Sequence, residues 1–97
     1  MYDVFVSYAR ADGSEMALRI VNALERRGKQ VWFDTEDIPP AVTFTPEIQT
    51  GIDGSDAFAI VVTERSMSPS SVCRIELEHA ILRGKRIVPV RRVMGRS

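Results

Sequence analysis

The sequence predicts a single α/β domain built on an open parallel sheet, and three observations predict it. Four short runs rich in β-branched and aromatic residues alternate with three segments of helical periodicity, in the order β-α-β-α-β-α-β. The third run, Ala57 to Val62, is apolar without alternation, which is how a central strand covered on both faces reads. The length of 97 residues, 44% hydrophobic and 27% charged, suits one small core. Parallel strands joined by helices require right-handed crossovers.

Each element has its own local reason. Asp3 to Tyr8 is a β-branched and aromatic strand, and Asp12-Gly13-Ser14 breaks it. From Glu15 to Arg27 the residues Met16, Ile20, Ala23 and Leu24 recur at helical spacing, Asp12 and Glu15 form a capping-box pattern, and Gly28 suits the position after the helix. Gln30 to Asp34 is a second strand, after which Ile38-Pro39-Pro40 enforces an extended loop. Thr45-Pro46-Glu47 supplies a cap, a proline at the first helical position and an early acid, starting a helix to about Ile52 that Gly51 and Gly54 keep short. The central strand follows, then the turn-rich Ser66 to Ser71. A helix from Cys73 to Arg83 closes on Gly84, and Arg86 to Val90 forms the fourth strand, its far end weakened by Pro89. The tail from Arg91 carries three arginines and reads as a solvated end.

Composition narrows the function. Thirteen basic and thirteen acidic side chains cancel, so no general attraction to nucleic acid or anionic membrane is expected. One cysteine and one histidine predict neither a disulfide nor a zinc site. The longest apolar run is too short to span a bilayer, and a cytoplasmic domain is expected.

In an open parallel sheet, ligands bind beyond the carboxyl ends of the strands. The residues there are Tyr8-Ala9-Arg10, Thr35-Glu36-Asp37 and Thr63-Glu64-Arg65-Ser66, which should share one rim with the start of the third helix. On that helix, CRIELEH places two acids on different stripes: Glu76 with Cys73, His79, Ala80 and Arg83, and Glu78 with Arg74, Ile75, Ile81 and Leu82. Periodicity alone does not choose between them. Cys73 and His79 lie nearly two turns apart and cannot form a nucleophile and base pair, so Cys73 is expected as packing and His79 as a helix-surface or interface group. Trp32 is expected mostly in the core, and Gly51 with Gly54 makes only a weak G-x-x-G.

Taken together, Asp3-Val4-Phe5-Val6-Ser7-Tyr8, Val31-Trp32-Phe33-Asp34 with the proline-bearing loop after it, Ser71-Val72-Cys73-Arg74-Ile75-Glu76-Leu77 and Ile87-Val88-Pro89-Val90 resemble the Toll/interleukin-1 receptor (TIR) domain family. The segment DTEDIPP, Asp34 to Pro40, looks most like bacterial members, which often stand at the N-terminus of longer immune or effector proteins. The resemblance implies a flavodoxin-like sheet of strand order B-A-C-D-E with helices on both faces, here without the last strand and helix. It also implies one domain over 1–97, as the N-terminal part of a longer protein.

What the resemblance implies about chemistry is an NAD glycohydrolase, releasing nicotinamide and leaving ADP-ribose or a cyclic isomer, with NAD as substrate and no cofactor. The alternative within the family is a non-enzymatic adapter that acts by assembling with other TIR domains. By resemblance Glu76 is the catalytic acid, Arg10 lies near the phosphates, and Tyr8, Ala9, Asp34, Glu36 and Ser66 complete the NAD contacts. Phe5 is a lesser candidate for the nicotinamide side and is expected in the core. Ile38, Pro39 and Pro40 form the contact with a neighbouring TIR domain in a homo-oligomer or filament. Val72 stands where many enzymatic bacterial members carry tryptophan.

Overall fold

The computed structural model describes residues 2–33, 46–69 and 71–91. Its elements follow the expected order: β1 (Tyr2–Ser7), α1 (Arg10–Arg26), β2 (Val31–Phe33), α2 (Pro46–Asp53), β3 (Ser55–Val62), α3 (Val72–Leu82) and β4 (Arg86–Arg91). The four strands form one sheet in the order β2-β1-β3-β4, and every pairing is parallel. This is the B-A-C-D part of the expected order.

Alternation along the strands divides the core into two layers, because successive side chains point to opposite faces. Phe5, Phe58 and Ile60 pack beneath α2 and α3 with Ile48, Ile52, Cys73 and Ala80. Val6, Ala59 and Val61 pack on the other face with Ala17 and Val21 of α1. Thus β3, lying between β1 and β4, is covered on both faces, as its unbroken apolar run requires.

Both longer helices end on glycines in the left-handed region, Gly28 at φ 79° and Gly84 at φ 73°. Around each, the same pair of bonds closes the helix: Lys29 N donates to Leu24 O and Gly28 N to Glu25 O, and likewise Lys85 N to Ala80 O and Gly84 N to Ile81 O.

The start of α1 differs from expectation. The helix begins at Arg10 and not at Glu15, its cap residue Ala9 makes no side-chain capping bond, and Asp12-Gly13-Ser14 lies inside its first turns. Asp12 is therefore no capping box. Its carboxylate reaches across to Thr63 Oγ1 (2.7 Å) and the Arg65 main-chain N–H (3.1 Å), a tertiary use that local pattern does not reveal. Strand β4 likewise runs past Pro89 to Arg91, keeping Pro89 in register with Ile60. Its only strand neighbour among the described residues is β3, and an edge strand tolerates a proline whose missing N–H would face outward.

Gly51 has a packing role in place of a phosphate-loop role. A Cβ there would lie 2.7 Å from Trp32 Nε1 and 2.8 Å from Trp32 Cε2, closer than real contacts allow. Trp32 is in turn stacked on Phe5, with ring centroids 4.7 Å apart, so the indole has a ring behind it. Gly51→Ala is expected to lose about 1–3 kcal/mol by overpacking, less about 1 kcal/mol regained in helix propensity. Urea denaturation followed by tryptophan fluorescence checks this, and an unchanged midpoint would mean the ring yields freely.

Candidate functional site

Helix α3 is oriented by what its sides bury. Ser71 caps it, accepting a hydrogen bond from Cys73 N (3.0 Å). Cys73, Glu76 and Ala80 form its buried side, whereas Ile75, Glu78, Ile81 and Leu82 are exposed, Leu82 at 82%. The choice that periodicity left open is thereby made in space: Glu76 turns inward and Glu78 outward.

Glu76 is 8% exposed and points at the carboxyl end of β1, where the Ser7 hydroxyl donates to its Oε1 at 2.6 Å. Ser7 is itself 2% exposed. At this length the bond lies at the short end of the range for a hydroxyl donor and an oxygen acceptor. Ser7 did not figure among the expected site residues. The available signal was its place two residues after Phe5, on the same face of an apolar strand, since a hydroxyl buried there needs a partner.

The turn after β3 is tied to both α1 and α3. Besides the Asp12 bonds to Thr63 and Arg65, Arg74 Nη1 donates to Met67 O (3.0 Å), tying α3 to the same turn. Arg10 is exposed at the first residue of α1. Ala9 packs on the α2/α3 layer, the side of Glu76, whereas Tyr8 is half-buried against the α1 layer. Ser66 is fully buried: its hydroxyl donates to Val61 O (2.8 Å) and accepts from Thr63 N (2.9 Å). Those bonds shape the turn after β3, and the side chain meets no solvent. Phe5, at 1% exposure and stacked on Phe58 as well as Trp32, belongs to the core. Asp34 and Glu36, with the interface residues Ile38, Pro39 and Pro40, lie outside the described residues.

Cys73 is 4% exposed, and burial pushes its thiol up from the ordinary value, against the opposing pull of the Ser7 and Ser71 hydroxyls. A protonated, buried thiol is a poor nucleophile, consistent with packing.

His79, expected at a helix surface or an interface, is a contact between α3 and α2. Its Nε2 lies 2.8 Å from Asp53 Oδ1 at the end of α2, and Arg83 Nε donates to the same oxygen at 3.1 Å. Lys85 Nζ adds a bond to Asp53 O (2.9 Å), so the C-terminal ends of α2 and α3 are clamped together. The His79 bond, foremost, holds the Asp53 carboxyl below its ordinary 3.8; burial opposes it, and the Arg83 charge adds a lesser lowering. A lowered folded value means stability that is present above the ordinary value and lost as pH falls through the lowered one. Asp53→Asn is expected to lower the melting temperature at neutral pH, with the gap to wild type closing in acid. Melts from about pH 7 down to about pH 2 check it, and a gap constant across that range would refute the clamp's ionic character.

No helix among the described residues is long and apolar enough to cross a membrane. Residues 4–95 match a family model described as TIR domain. The chain is 27% identical over 81 residues to the "Probable 2' cyclic ADP-D-ribose synthase TcpO" of Methanobrevibacter olleyae, covering 84% of this chain and 24% of that protein. It thus spans about a quarter of that relative's length. Among solved structures it is similar to the TIR domain of the Toll-related receptor TRR-2 from Hydra magnipapillata, with TM-score 0.75 and 23% identity, covering 100% of this chain and 74% of that one. It is also similar to the TIR domains of the activated Roq1 resistosome recognising the effector XopQ, with TM-score 0.74 and 23% identity, covering 94% and 57%. A metazoan TIR-STING receptor from C. gigas gives 0.73 and 23%, covering 94% and 31%. At these identities the structures share a fold with this chain.

Proposed function

The chain belongs to the TIR domain family, and from that premise we propose that it cleaves the bond between nicotinamide and ribose in NAD, with Glu76 as the catalytic carboxylate. The observation that carries the reading is the inward turn of Glu76 toward the strand tips, where an open parallel sheet binds its ligands, while Glu78 faces solvent. The likeness to a relative named as a cyclic ADP-ribose synthase supports the same chemistry.

The chemistry asks for one acid. The nicotinamide nitrogen carries positive charge in NAD, so when its bond to C1′ breaks the bonding pair neutralises it, and the leaving group needs no proton. Positive charge builds on the ribose, as in glycoside cleavage, and a carboxylate nearby stabilises it. Water attacking C1′ gives ADP-ribose and releases a proton; attack by a group within the same molecule gives a cyclic isomer. In this reading Arg10 holds the phosphates, for which a planar guanidinium is suited, and Asp34 and Glu36 are further NAD contacts. The domain works in the cytoplasm, in assemblies with other TIR domains through Ile38, Pro39 and Pro40.

A second reading, a non-enzymatic adapter, is favoured by the apolar outer face of α3, where Ile75 is 42%, Ile81 59% and Leu82 82% exposed. Nicotinamide release from NAD by the full-length protein, assayed at high concentration in wild type and in Glu76→Gln, separates the two. Release that depends on Glu76 supports the enzyme; release equal in both proteins overturns the catalytic assignment, and none in either favours the adapter.

A further inference from the structure

We infer that Ser7 is the positioning residue of this site: its hydroxyl fixes the Glu76 carboxylate at the tip of β1 in the orientation that cleavage uses. The inference rests on Glu76 being the catalytic acid.

Three features of the pair carry it. The first is rigidity of the donor. Ser7 has a single short side-chain torsion, and it is the last residue of a strand bonded on both sides, in register with Ile60 of β3. A glutamate has three side-chain torsions, so a bond of 2.6 Å from a donor with so little freedom selects among its rotamers. The second is location. The bond lies at the carboxyl end of an interior strand, with both partners under 10% exposed, so bulk water competes little for the carboxylate oxygen.

The third is contrast with the other buried serines. Ser55 Oγ donates to Gly51 O and Ser66 Oγ to Val61 O, each a main-chain carbonyl four or five residues away. Those two close turns. Ser7 directs its proton to an acid 69 residues distant, on a different element. Nothing in the local backbone calls for that bond.

A misaimed carboxylate loses its hold on the charge that develops in the transition state, while substrate still binds. The loss therefore falls on kcat and leaves KM nearly unchanged. The experiment is nicotinamide release by the full-length protein across a range of NAD concentrations, with Ser7→Ala, Ser7→Cys and Ser7→Thr compared with wild type and Glu76→Gln, each variant's melting temperature being measured alongside. Ser7→Ala removes the donor, and Ser7→Cys fills the space with a weak one, so the test survives if the alanine variant fails to fold. Both are expected to lower kcat roughly 10- to 100-fold, the scale of a small misplacement of a catalytic group, with KM within about twofold. Ser7→Thr, which keeps the hydroxyl, is expected to recover most of the rate. Wild-type kcat in Ser7→Cys alongside an inactive Glu76→Gln would overturn the role of Ser7 alone, as would a threonine variant no better than the cysteine one. Wild-type turnover in Glu76→Gln would instead overturn the catalytic acid, and the role of Ser7 with it.

Discussion

Glu76→Gln is expected to reduce nicotinamide release at least about 100-fold while Glu78→Gln leaves it within about twofold. The glutamine keeps the length and shape of the side chain, and its amide oxygen can still accept the Ser7 hydroxyl now bonded to Oε1 at 2.6 Å. What it removes is the negative charge. Taking one fixed electrostatic partner from a developing charge in a water-poor site costs about 2.7–4 kcal/mol in comparable cases, which sets the factor. Glu78 sits on the exposed side of the same helix, two residues away, and is the internal control because it shares composition, element and charge. Melting temperatures of the two variants, measured together, separate lost chemistry from lost fold. Equal rates in wild type and Glu76→Gln would refute the assignment.

Phe5→Ala is expected to give the largest loss of stability. Phe5 stacks on Trp32 (centroids 4.7 Å) on one side and on Phe58 (5.4 Å) on the other, with both interplanar angles at 10°. Truncation opens a cavity between two rings and breaks both contacts, at a position in register with Trp32 of β2 and Phe58 of β3. The expected cost is about 3–5 kcal/mol, a large share of the roughly 5–15 kcal/mol that holds a domain together. Phe5→Leu, which keeps much of the volume, is expected to lose less than half of that. Urea midpoints of the two variants check the ordering. A Phe5 that lined a ligand pocket would instead leave the midpoint in place and raise KM for NAD.

Much of the fold was legible because it rests on local rules. The positive-φ glycines at 28 and 84, the proline-led start of α2, and the unbroken apolar run of β3 each state a backbone conformation or a burial state within a few residues. Where reading along the chain failed, a distant partner had overridden a local pattern. Asp12 resembled a cap but is used by Thr63 and Arg65, and His79, expected at a helix surface or an interface, is held by Asp53 of α2; Ser66, expected as a rim contact, is the local exception, bonded within its own turn.

The order of elements, the parallel sheet and the presence of two acids on one helix could be read from the amino acids alone. These follow from torsional preference and hydrophobic periodicity, which are properties of neighbours in the chain. Which acid faces the strand tips, and which serine meets it, became visible once the helix was packed on the sheet. A helix stripe has no inside until a sheet lies against it, and the bond between residues 7 and 76 joins positions that chain order keeps 69 residues apart.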